Sequence, residues 1–296
     1  MRRNINSITS VLLLAFGVAS CANESMEPEA ADTDGKVAMS FTFSHPSETR
    51  ATETSFEEGD AVGLFVAESD SPLEVSGNAL NNEHLTFSAS GWNSGRKLYW
   101  DKGTYNAYAY YPALDEISSV SDLQFSVGTD QRDTAGNSID GYEGSDFLYA
   151  SSLGIEASPN PVNLQFRHIL SKLTVRLIKG EDFEGEIPDN ATVYVHNTVT
   201  DATIDLAAGV ATKNLRGAAK TVIARKAGST SYTAIIVPQR LENRVPLVEV
   251  VMNGVSFLYE SKFLFKPGIH HIVNLVVDKN PEQVKIEVGG EITDWN

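Results

Sequence analysis

Beyond residue 36 the apolar residues recur at alternate positions, in short runs broken by Gly, Pro, Asn and Asp, and sustained helical spacing is missing. Side chains two residues apart share one face of a strand, so this rhythm restricts the chain to strands packed through their faces. Residues 61–66, 97–100, 123–127 and 145–151 read as strands. So do residues 104–111, with Tyr105, Ala107, Ala109 and Tyr111 on one face; Pro112, which has no N–H to give a ladder, ends that run. Leu164, Phe166, Leu173, Val175 and Leu177 mark a long extended region, and RHILSK (167–172) within it is a bend, a bulge or one helical turn. Further strands are expected at 192–196, 202–206, 221–225, 232–237, 270–278 and 284–288. Residues 247–261 form a hairpin with Asn253-Gly254 at its tip, a pair that tolerates the positive φ of a tight turn. No fixed-period repeat is present, which excludes solenoids and propellers. The expected architecture is all-β: two β-sandwich domains, residues 37–158 and 159–296, divided at the Pro-containing stretch ASPNPVN (157–163).

The 296-residue chain is 42% hydrophobic and 21% charged, a globular composition, and its formal net charge is −16. That acidity gives no footprint for nucleic acid and opposes binding to anionic membranes. No apolar run reaches the roughly 18 residues of a helical span. Residues 1–20 read as a signal peptide: Arg2 and Arg3 supply charge, residues 11–19 an apolar core, and small residues precede Cys21. Val18-Ala19-Ser20-Cys21 looks like the lipobox of bacterial lipoproteins, which makes the Cys21 thiol the acceptor of the diacylglyceryl group and of its palmitate-type chains. Cys21 is the sole cysteine, so the fold has no internal disulfide. Residues 21–36, acidic and without aromatics, form a solvated tether, leaving the lipid as the only membrane attachment.

Catalytic signatures are missing: no G-x-S-x-G, no H-E-x-x-H, no Gly-rich phosphate loop. His270 and His271 are neighbours on one strand, so they point to opposite faces and cannot share a metal. His168 and His196 read as structural residues on apolar strands. The expectation is a non-enzyme without cofactor or metal. Trp92, Tyr99, Trp100, Tyr105, Tyr108, Tyr110 and Tyr111 fill a sandwich core, or else form a platform for sugars.

The stretch VAMSFTFSHPSETRATE (37–53) joins an apolar strand to a polar tether. Val37, Met39, Phe41 and Phe43 alternate with small or polar residues; HPSET and then Arg50-Ala51 follow. Four such side chains in a groove contribute roughly 6 to 12 kcal/mol before ordering costs. TRATETSFEEGDAVGLF, LYW with YNAYAYYP, SDFLYA, LQFRHILSKLTVRL, IVPQRL, KPGIHHIVNLVV and GGEITDW follow in order. Together with the lipobox, this series resembles the fimbrillin family, the lipoprotein-derived fimbrial subunits of Bacteroides-type anaerobes. The resemblance implies two transthyretin-like sandwiches and an adhesive pilus subunit of the cell surface and outer membrane. It also implies polymerisation by strand replacement, with an arginine-specific cut at Arg50-Ala51, release of the strand bearing Val37, Met39, Phe41 and Phe43, and filling of the groove by another subunit's C-terminal segment. Either residues 284–295 are the donor, or the protein cannot donate and sits at a tip or base. The partners are other fimbrial subunits and host or bacterial surface ligands. The alternatives are a monomeric glycan-binding lipoprotein and an anchor that keeps its lipid.

Overall fold

The computed structural model describes residues 36–46, 55–132, 141–279, 285–287 and 292–295. In chain order the strands are β1 (Val37–Ala38), β2 (Phe41–Ser44), β3 (Ala61–Glu68), β4 (Leu80–Ser88), β5 (Gly91–Ser94), β6 (Tyr99–Trp100), β7 (Thr104–Tyr111), β8 (Leu123–Ser126) and β9 (Leu148–Glu156). After them come β10 (Val162–Gln165), β11 (Arg167–His168), β12 (Ser171–Lys179), β13 (Thr192–Val199), β14 (Asp201–Asp205), β15 (Val210–Lys213), β16 (Ala219–Ile223) and β17 (Arg225–Lys226). The last are β18 (Ser231–Ile236), β19 (Gln239–Met252), β20 (Val255–Phe265), β21 (Ile269–Val277), β22 (Lys285–Glu287) and β23 (Ile292–Asp294). One 3-10 turn, Glu143–Ser145, precedes β9. The chain is all-β, as its alternation requires.

A six-stranded antiparallel sheet, in the order β11-β9-β7-β3-β4-β5, organises the first half. Its central strands are apolar on both faces. On β3, Val62, Leu64 and Val66 enter one core, while Phe65 and Ala67 enter another. On β7, Tyr105, Ala107 and Ala109 belong to the first and Tyr110 to the second. β9 divides likewise, with Leu148 and Ala150 against Tyr149. Neighbours along a strand point oppositely, so the sheet is covered twice. That double burial explains why AVGLFV is a nearly continuous apolar run rather than an alternating one. One cover consists of the short pairs β1-β6 and β2-β10; the other includes the three-stranded sheet β15-β14-β8.

In the second half, the sheet β17-β18-β12-β21, with β22 and β23 on the outer edge of β21, faces the sheet β16-β13-β19-β20. Leu173, Val175, Val193, Val195, Val248 and Leu275 fill the space between them. The central pair β12 and β21 is parallel, from Ser171↔Ile269 to Lys179↔Val277. Asn253 (φ 50°) and Gly254 (φ 73°) make the expected hairpin tip. The RHILSK stretch is a break rather than a helical turn, since β11 ends at His168 and β12 begins at Ser171. Residues 157–163 fall largely between β9 and β10, and β2-β10, β9-β11 and β8-β14 pair across them.

One glycine has a steric role at the sheet centre. Gly63 lies opposite Tyr110, and a Cβ there would stand 2.2 Å from the Tyr110 ring. The ring cannot step aside, because its hydroxyl donates to Asn82 Oδ1 at 2.6 Å and accepts the Leu114 N–H at 3.2 Å. Overpacking of this kind costs about 1 to 3 kcal/mol. Gly63→Ala is therefore expected to lower unfolding stability by about that amount in urea titration; a variant as stable as the parent would contradict the packing described.

Candidate functional site

The first strand is seated by alternating side chains and by two short backbone pairings. β1 pairs antiparallel with β6 over two residues (Val37↔Trp100, Ala38↔Tyr99), and the Met39 N–H donates to the Leu98 carbonyl at 2.9 Å. The segment then changes partner. β2 runs parallel to β10, from Phe41↔Val162 to Ser44↔Gln165. Neither pair belongs to a larger ladder. Phe41 and Phe43 are buried, Val37 and Met39 half-buried, and the intervening Ala38, Ser40, Thr42 and Ser44 exposed, as period-two alternation demands. Phe41 packs on Trp100 with ring centroids 6.0 Å apart, while Phe43 meets Trp92 edge-on at 4.9 Å and stacks on Phe166 at 5.8 Å. Full burial of one apolar side chain contributes about 1.5 to 3 kcal/mol, so two buried and two half-buried give roughly 5 to 9 kcal/mol. Whole domains are stable by only about 5 to 15 kcal/mol. An unfilled seat would leave the sheet beneath it uncovered.

The strand ends at Ser44 and is followed by His45 and the buried Pro46. Phe56 closes the seat, edge-on to His45 (5.0 Å), Trp92 (4.9 Å) and Phe166 (5.6 Å). Beside it is a pocket of about 150 Å³ whose lining includes Asp60, Tyr111, Glu143, Asp146 and His168. The Tyr111 hydroxyl donates to Asp60 Oδ1 at 3.0 Å. Burial, and then the Asp60 charge, push that phenol well above its usual range, so it stays a donor. Cys21, Arg50, Ala51 and Val284 lie outside the described residues.

The C-terminal segment docks on its own chain. β22 and β23 pair antiparallel with β21, and the Trp295 N–H donates to the Gly268 carbonyl at 2.9 Å. Trp295 is buried and stacks on His168, centroids 3.7 Å apart and planes 7° from parallel. His168 Nδ1 stands 3.0 Å from an Asp146 carboxylate oxygen. This anchor joins residues far apart in sequence, and only GGEITDW, as the end of the family-like series, marks it.

The other candidates prove structural. Trp100, Tyr105 and Tyr110 are each at most 3% exposed, and Trp92 is packed between Phe43 and Phe56. Trp92, Trp100, Tyr105 and Tyr110 therefore pack into the cores, and Tyr108 and Tyr111 are partly buried against them. His196 lies 2.9 Å from both Thr221 Oγ1 and Glu249 Oε2 on the outer face of the sheet containing β13. Among the described residues no three His, Cys, Asp or Glu side chains are grouped to hold a metal ion. His270 Nε2 is 2.8 Å from Thr174 Oγ1, whereas His271 turns to the core beside Phe263 and accepts the Lys266 N–H at 3.2 Å. Burial, then the Lys266 charge, push the His271 pKa down to about 4.

The all-β chain, with a doubly covered sheet in its first half and two facing sheets in its second, is of the β-sandwich class. The chain belongs to the fimbrillin-like family, whose sequence profile matches residues 49–295. It is 24% identical over 301 residues to a proposed fimbrium subunit, Fim1C, of Bacteroides uniformis, covering 96% of this chain and 93% of that one. It is 26% identical over 215 residues to a proposed fimbrium tip subunit of Bacteroides ovatus, covering 65% of this chain but only 39% of the relative. The crystal structure of a proposed cell adhesion protein from Bacteroides uniformis superposes with a TM-score of 0.65 at 21% identity, over 89% of this chain and all of the other.

Two outcomes test this description. Phe43→Ala is expected to lose about 3 to 5 kcal/mol of unfolding stability, and Thr42→Ala, one residue along and exposed, less than about 0.5; equal losses would contradict the seating. For His271, the folded pKa is depressed, so the unfolded chain takes up the proton first. Its contribution is full above pH 6.5 and is lost as pH falls towards 4. His271→Gln should flatten the stability profile across that window, and an unchanged slope would contradict the assignment.

Proposed function

We propose that this protein is a structural and adhesive fimbrial subunit, exported as a lipoprotein through Cys21 and assembled at the cell surface by replacement of its first strand. The observation that carries the reading is the seat itself. Residues 37–44 cover one face of the six-stranded sheet with their side chains, and their backbone pairs only with the short strands β6 and β10, in no larger ladder. A strand held in this way can leave without dismantling a sheet, and any strand of the same alternation can replace it by β-augmentation. The relatives named as fimbrium subunits support assembly with other subunits. In this reading, the cut at Arg50-Ala51 severs the lipidated N-terminus from residues 51–296 and turns an outer-membrane protein into a polymer unit.

The donor is the segment 284–295. Here its described part lies along its own β21, so donation requires Trp295 to leave His168. A subunit that retains this contact accepts without donating, which is the geometry of a terminal position. We further take the two halves as a transthyretin-like pair of sandwiches; because β10 and β11 pair with β2 and β9 of the first half, the division between them falls after His168 rather than at residue 158. Surface ligands of host or bacterial origin would meet the outer loops of the assembled fibre.

The test is digestion of the full-length chain with an arginine-specific protease, followed by mass spectrometry and size-exclusion chromatography. A new N-terminus at Ala51 and a ladder of oligomers, both lost in Arg50→Ala, are expected. No cut at Arg50, or a cut chain that stays monomeric, would overturn the proposal.

A further inference from the structure

β20 is the outer strand of the sheet β16-β13-β19-β20, and among the described residues no strand pairs with its far edge. It runs unbroken for 11 residues. The irregularities in its pairing place extra residues on β19, between Leu241 and Val245 and between Pro246 and Val248. The tight turn fixes what this edge offers. Met252 and Val255 face each other across Asn253-Gly254, and in a two-residue hairpin such a pair exchanges both backbone bonds. From Val255 onward, odd-numbered residues therefore direct their N–H and C=O groups to β19. Ser256, Leu258, Glu260, Lys262 and Leu264 direct theirs outward. The side chains of these five are also exposed, Leu258 at 43% and Leu264 at 38%.

The sequence of this edge complements itself. Counting both ways from Ser261, Glu260 answers Lys262, Tyr259 answers Phe263, and Leu258 answers Leu264. We propose that β20 is an isologous interface through which two copies of this chain join edge to edge. The strands lie antiparallel about a two-fold axis through Ser261. Glu260 then stands opposite the partner's Lys262, and Leu258 opposite the partner's Leu264. These pairs use even-numbered residues, the ones whose backbone groups face outward, so the ladder and the side-chain register agree. On the inner face, Tyr259 and Phe263, partly buried against the core of the second half, meet the partner's Phe263 and Tyr259 and extend that core across the axis.

Charge favours a second copy as the occupant. The chain carries a formal net charge of −16, yet residues 255–265 hold one acid and one base. Two such chains therefore meet here without a local excess of negative charge. An unrelated strand would not present the two charges in reversed order. Glu260 Oε2 now lies 3.7 Å from Arg244 on the neighbouring strand, an exposed contact compatible with a second cation. The Ser261 hydroxyl donates to the Lys262 carbonyl at 2.8 Å, and that carbonyl keeps a second lone pair for the partner's N–H.

Sedimentation velocity on the full-length chain carrying Cys21→Ser and Arg50→Ala tests this without help from acyl chains or loop cleavage. A monomer–dimer equilibrium is expected within concentrations up to about 1 mM. Lys262→Glu should weaken it by about tenfold or more, by setting two like-charged pairs face to face, at unchanged melting temperature. Glu260→Lys with Lys262→Glu should restore it. A chain that stays monomeric, a dimer indifferent to Lys262→Glu, a double variant that fails to recover, or open-ended oligomers in place of a closed dimer would each overturn the proposal.

Discussion

The six-stranded sheet of the first half cannot face water on either side, and much of the structure follows from that constraint. Val62, Leu64 and Val66 look one way from β3, Phe65 and Ala67 the other. On the second face the cover includes β8, β14 and β15, whose residues come from both sides of the 157–163 segment, together with Ile235, Val237 and Trp295. On the first face it is a patchwork of β1, β2, β6 and β10, none longer than four residues. Short strands contribute few ladder bonds, so the free energy of that cover resides in Phe41, Phe43, Leu164, Phe166 and Trp100.

This division of labour links packing to assembly. A cover held by an extended ladder leaves only when a sheet opens; one held by short pairings and alternating side chains can, in the proposed assembly, leave as a unit and be replaced by a strand of like pattern. The same logic distinguishes two features of the molecule. The seat of the first strand is a groove with an occupant, whereas β20, paired with β19 on one side, has no strand on its far edge among the described residues. Under the assembly proposed above, the first would give head-to-tail joining and the second two-fold closure, and together they would cross-link chains rather than merely lengthen them.

How much of this was legible in the sequence depended on how many faces of each strand were buried. Residues 104–111 and the Asn253-Gly254 hairpin were plain, one from strict alternation and one from turn chemistry. Phe41 and Phe43 stood out because the residues between them are polar. The β4-β5 hairpin passed unseen: Asn81, Asn82, Glu83 and His84 follow Leu80 on a half-exposed strand, and burial there comes from tertiary partners. The parallel pairing of β12 with β21 was hidden as well, because its register is set by strands that intervene in the chain. Alternation also could not separate seat from platform for Trp92 and Trp100; only their packing against Phe43, Phe56 and Phe41 does. The Asp146–His168–Trp295 anchor joins three distant positions, beyond the reach of any local pattern.

Everything rests on a cover strand that is energetically separable from the sheet it protects, and native-state hydrogen exchange measures that separation directly. The amides of Met39, Val162 and Phe166, which bond to or across the first segment, report its opening, and those of β3 and β7 report the whole fold. If the strand is a detachable occupant, the first group exchanges at a clearly lower opening free energy than the second, and responds to denaturant with a smaller slope. If both groups exchange only through global unfolding, with the same free energy and slope, the first strand is an integral part of the fold and the account fails.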